Sequence, residues 1–74
     1  MAATRVSNEI RRLRFECSEM TQQELADRAG VSRQTIVSIE KGKYSPSLEL
    51  AFRIAGALGR PIEAVFRYEQ DALP

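Results

Sequence analysis

Arg33 and Gln34 stand side by side, with Ser32 before them and Thr35, Val37, Ser38, Lys41 and Lys43 after. These residue types suit the edges of nucleic-acid bases. An arginine can donate two hydrogen bonds to O6 and N7 of guanine, and a glutamine can bond adenine N6 and N7 or a phosphate. Val37 can meet a thymine methyl, while Thr35 and Ser38 can bond a phosphate, a base or only water. Lys41 and Lys43 add charge suited to a phosphate backbone. The same residues also suit an ordinary solvated helix face. Arginine near a helix N-terminus opposes the helix dipole, which prefers negative charge, and a phosphate or base acceptor there removes the mismatch.

The stretch that must position them is Gln22 to Lys41, which reads as two short helices joined by a tight turn. Leu25 and Ala29 lie four apart on one helical face, and Ile36 and Ile39 lie three apart on another. Gly30 can take a left-handed backbone angle and so end the first of the pair. Val31 is apolar within the turn and is expected to fill the space between the helices. Ser32 is a good N-cap for the second. Ala26 is small where two helices must approach closely. The pattern is that of a helix-turn-helix, whose second helix can lie in the DNA major groove.

Around it, a first helix is expected from Ser7 to Cys17, capped by Ser7 or Asn8, with Val6, Ile10 and Leu13 as its apolar stripe. Phe15 is placed at the edge of the core, and Glu9, Arg11 and Arg12 on the wet side. Ser18 and Glu19 form a turn. Thr21-Gln22-Gln23-Glu24 is a capping box, with Met20 and Leu25 as its hydrophobic staple, so the second helix spans Gln22 to Ala29. The third spans Arg33 to Lys41 and ends at Gly42. Ser47 caps a fourth, Leu48 to Leu58, with Leu48, Ala51, Phe52, Ala55 and Leu58 on one face and Ile54 widening it. Pro61 suits the start of a short fifth helix, Pro61 to Phe66. The fold class expected is therefore all-α, five helices around one core, with residues 1–74 a single domain. The termini also permit a small β ribbon, Arg5 to Val6 against Phe66 to Glu69.

With 74 residues, one cysteine, no histidine and a formal net charge of +1, several chemistries are disfavoured. One cysteine allows no intrachain disulfide, and without histidine neither a zinc site nor histidine catalysis is expected. Nothing marks Cys17 as an activated thiol. No run approaches a membrane span, and the first residues lack an apolar signal core, so a cytoplasmic protein is expected. Nothing points to a cofactor, a metal or a small-molecule ligand. The charge is better read by position. Arg33, Lys41 and Lys43 flank the motif's second helix with Glu40 the acid among them, whereas acids predominate after Pro61.

The run TQQELADRAGVSRQTIVSIEKGKYSPSLELAFRIAGALGRPIEAVF resembles the helix-turn-helix family of phage repressor and Cro proteins, often called XRE, and most of all its short single-domain members. The resemblance covers about Asn8 to Phe66. It implies a DNA-binding transcriptional regulator, a repressor or autoregulator, acting on a double-stranded operator. It implies that Gln22 contacts a phosphate, and that Ser32, Arg33, Gln34, Val37 and Ser38 face base edges or the backbone. It further implies that Lys41 and Lys43 contact phosphates, and that Arg14 and Glu40 form a partly buried ion pair. Tyr44 can bond a phosphate or stack on its loop. One departure stands out: FECSEMT places one residue more than usual between Arg14 and Gln22, which lengthens the first turn.

Reading two half-sites calls for two recognition helices, so a homodimer on a pseudo-palindromic operator is expected. Ile62, Val65, Phe66, Tyr68 and Leu73 are the candidates for its interface, against the plainer reading that Val65 and Phe66 close the monomer core. A rival from another class is an antitoxin or similar protein-interaction module with secondary DNA binding. An enzyme is disfavoured, because no nucleophile–base pair, metal set or phosphate loop is found.

Overall fold

The computed structural model describes residues 4–69. Among these, a strand β1 (Val6–Asn8) leads into helices α1 (Ile10–Glu16), α2 (Gln22–Ala29), α3 (Arg33–Glu40), α4 (Leu48–Leu58) and α5 (Ile62–Val65), followed by strand β2 (Phe66–Tyr68). The architecture is mostly helical, with a two-stranded antiparallel ribbon pairing Val6 with Tyr68, Ser7 with Arg67 and Asn8 with Phe66. No helix of the described residues is long and apolar enough to cross a membrane.

Local chemistry sets most helix ends. Thr21 Oγ1 accepts from the Glu24 amide at 3.0 Å and Glu24 Oε1 accepts from the Thr21 amide at 2.8 Å, closing the capping box. Ser32 and Ser47 each accept from the amide three residues on, starting α3 and α4. Gly30 ends α2 at φ +75°. A β-carbon there would meet nothing nearer than the flexible end of Arg53, so the backbone angle and not space selects glycine.

The start of α1 corrects the expectation. Ser7 and Asn8 belong to the strand, and the helix begins at Ile10. The reason is long-range. Asn8 Nδ2 donates to the Ile39 carbonyl at 2.8 Å, its Oδ1 accepts from the Ile10 amide, and the Glu9 amide donates to the Val65 carbonyl. Val6 is accordingly half-buried in the ribbon and takes no part in a helical stripe. After α1, Ser18 and Glu19 both take positive φ, 56° and 55°. Such angles cost about 1–2 kcal/mol per non-glycine residue. They curl the lengthened turn so that the Glu19 amide reaches the Phe15 carbonyl and the Met20 amide that of Arg14, and Met20 returns to the core.

The core is built on Ile10, Leu13, Leu25, Ile36, Ile39, Ile54 and Val65, all nearly without solvent contact. Helix α2 packs against both α3 and α4, and its inward Ala26 and Ala29 are small and buried at these approaches. In α4 the buried face is Leu50, Ala51, Ile54, Ala55 and Leu58. Leu48 and Phe52 were expected on that face but are exposed, at 70% and 55%. The helix is apolar on more than one side, so its periodicity permits either rotation, and packing against α2 selects the side centred on Ile54. Phe15 likewise lies outside the core, 71% exposed.

Candidate nucleic-acid interface

Helix α3 turns Ile36 and Ile39 inward, which leaves Arg33, Gln34 and Lys41 exposed on its opposite side with Val37 and Ser38 half-buried beside them. At its start Ser32 Oγ accepts from the Thr35 amide at 3.2 Å, and the Ser32 and Thr35 hydroxyls share a hydrogen bond at 3.0 Å. Those two side chains therefore hold the first turn and retain one hydroxyl proton for an outside acceptor. Lys43 and Tyr44 lie exposed in the loop beyond Gly42.

The N-terminus of α2 sits beside α3. Arg33 shares one concavity with Thr21, Gln22 and Gln23, and Val37 and Lys41 share the adjoining groove with Gln22, Arg14, Glu40 and Arg11. These residues from three helices thus border one continuous face. Arg11, expected only on the wet side of the first helix, shares this groove with Arg14, because residues three apart lie on one helix face.

Arg14 and Glu40 form the floor of the groove. Arg14 Nε donates to Glu40 Oε2 at 2.7 Å and Nη2 to Oε1 at 3.2 Å, while Nη1 donates to the Met20 carbonyl at 2.9 Å. The two side chains are 15% and 9% exposed. Gln22 Nε2 donates to the same Glu40 Oε1 at 3.2 Å. The glutamine side chain is thereby docked on the pair, with its second amide proton left for an outside acceptor. Three donors converge on one carboxylate and fix α1, α2 and α3 relative to one another.

Charge on this face is unspent. Among the described residues, no ion pair engages the side chains of Arg33, Lys41 or Lys43, whereas Arg12, Arg14, Arg53 and Arg60 are all bound to carboxylates. Hydrogen bonds from Arg12 to Glu9 and then Glu16 raise the pKa of that guanidinium above its ordinary value.

The residues considered for a dimer interface separate. Val65 has no exposed surface and is a core residue of the single chain, which corrects its assignment to an interface: the Glu9 amide bonds its carbonyl and its side chain joins the core cluster. Ile62 and Phe66 are partly buried against that core, and Tyr68 is 62% exposed. Leu73 lies outside the described residues.

Comparison with known proteins bears on this geometry. A family model described as helix-turn-helix matches residues 18–65. An HTH-type transcriptional regulator of Methanocaldococcus jannaschii is 62% identical over 52 residues, spanning 70% of this chain and 79% of that protein. The immunity repressor protein of Bacillus phage phi105 is 38% identical over 60 residues, spanning 81% of this chain and 41% of the repressor. The crystal structure of the clp gene regulator ClgR from C. glutamicum superposes with a TM-score of 0.65 at 30% identity, covering 73% of this chain and 69% of that one.

Proposed function

The chain belongs to the helix-turn-helix family of phage-repressor and Cro-like transcriptional regulators, and we propose that it binds a pseudo-palindromic DNA operator as a homodimer and represses by occupying a promoter. The observation that carries this reading is the outer face of α3. It presents Arg33, Gln34, Val37, Ser38 and Lys41 together, and among the described residues no carboxylate pairs with its cations. Arg33 and Gln34 are the proposed base readers, and Gln22, Ser32, Thr35, Lys41, Lys43 and Tyr44 the proposed backbone contacts.

Two copies are proposed because one α3 reads few base pairs, while paired half-sites lie about 34–36 Å apart. The proposed interface is the α5–β2 end, through Ile62, Phe66 and Tyr68, where apolar surface is left over after the core is closed. Selection of bound sequences from a random duplex pool tests the function. An enriched inverted repeat supports it, and a pool that stays random defeats it.

A further inference from the structure

Most carboxylates among the described residues are engaged. Glu9, Glu16, Glu40 and Glu49 sit in ion pairs, Glu24 closes the capping box, Asp27 accepts from Gln23, and Glu69 accepts from Ser7. That leaves Glu63 on α5 and Glu19 in the turn between α1 and α2. Glu19 is exposed and lines the same concavity as Arg33, Thr21, Gln22 and Gln23. Its backbone is held there, at φ 55°, by the hydrogen bond from its amide to the Phe15 carbonyl at 3.0 Å. Of the two arginines lining this concavity, Arg14 is bound to Glu40, while Arg33 makes no ion pair among the described residues. A free anion and a free cation thus border one hollow on the proposed DNA face.

We propose that Glu19 is a specificity-determining residue acting through Arg33, favouring a base edge over a phosphate as the acceptor that Arg33 takes; this rests on the reading of α3 given above. A phosphate that engages Arg33 in this concavity brings negative charge beside the carboxylate and is repelled. The O6 and N7 atoms of guanine are uncharged acceptors and meet no such repulsion. Binding to unrelated DNA is carried by phosphate contacts, whereas the operator offers Arg33 a base. The carboxylate therefore weakens binding to unrelated DNA more than binding to the operator. Discrimination here comes from a repulsion against the wrong partner, with no added attraction to the right one.

The test titrates Glu19→Gln, which keeps the shape and removes the charge, against a selected operator duplex and a scrambled duplex. Glu63→Gln is the control for net charge. Glu19→Gln is expected to tighten the scrambled duplex by about twofold to fivefold per subunit and the operator by less, so the ratio of the two affinities falls. The gain is expected to shrink at high salt, because the charge is exposed. Glu63→Gln is expected to keep the wild-type ratio. In an Arg33→Ala background Glu19→Gln is expected to leave the ratio unchanged, a dependence that a merely structural role would not show. Glu19→Asn, whose short side chain suits the left-handed backbone, gives the same reading should the glutamine variant fold poorly. An unchanged ratio in the Glu19 variants, an equal gain on both duplexes, or an equal fall in Glu63→Gln overturns the proposal. If Arg33→Ala loses operator preference while the Glu19 variants keep the wild-type ratio, only the role of Glu19 fails. If Arg33→Ala keeps full preference, the reading of α3 fails with it.

Discussion

Asn8 Nδ2 lies 2.8 Å from the carbonyl oxygen of Ile39 and donates a hydrogen bond to it across 31 residues of sequence. The contact ties the terminal ribbon to the last turn of α3, whose carbonyls lack partners within the helix. The same side chain accepts from the Ile10 amide at 3.1 Å and so anchors the first turn of α1. A second link runs from the Thr4 amide to the Gly42 carbonyl. The C-terminal end of the proposed recognition helix is thus held by the ribbon as well as by its own cap, in which the Gly42 and Lys43 amides donate to the Ile39 and Ser38 carbonyls.

Asn8→Ala should therefore destabilise the fold by about 1–3 kcal/mol, since it leaves the Ile10 amide without its partner and the Ile39 carbonyl with the Gly42 amide alone. Urea melts measure this. A change within experimental error would mean that water replaces both bonds at no cost.

The Arg14–Glu40 pair should show strong coupling. Removing one member strands a poorly solvated charge, which costs about 3–5 kcal/mol in a fully buried pair and less here, where the arginine is 15% exposed. Arg14→Met and Glu40→Leu should each destabilise more than the double substitution. A thermodynamic cycle by denaturant melting checks the sign, and zero coupling refutes it.

Base and backbone roles should part cleanly. Arg33→Ala is expected to cost about 1–3 kcal/mol on the selected operator and to relax preference at one base pair. Lys43→Ala should weaken all sequences alike and lower the salt slope by about 1. Unchanged affinity and preference in Arg33→Ala would remove it from the base-reading set.

Tyr68→Asp should shift the proposed dimer to monomer at micromolar concentration without loss of helical structure, because its ring is 62% exposed in the single chain. Sedimentation equilibrium and circular dichroism together measure this. A wild-type protein that sediments as a monomer and binds single half-sites without cooperativity refutes the dimer.

The sequence by itself determined what rests on neighbours within one turn. Thr21 and Glu24, Ser32, Ser47, Gly30 and Gly59 set the ends of α2, α3 and α4, because caps act over three or four residues and need no distant partner. The same short range placed Ile36 and Ile39 inward and Arg33 and Gln34 outward on α3. Tertiary structure decided the rest. Whether Ser7 starts a helix or sits in a strand depended on Arg67, a residue 60 positions away. Which side of α4 faces inward depended on α2, since Leu48 and Phe52 satisfy helical periodicity as well as Leu50 and Ile54 do. Val65 could face a partner or the core, and closure of the ribbon over Glu9 placed it in the core. Arg11 and Arg12 are equivalent in composition; only the positions of Glu9 and Glu16 distinguish a consumed cation from a surplus one. Local hydrogen bonds are written in consecutive residues, whereas the choice among apolar faces and among like charges is made by packing between segments far apart in the chain.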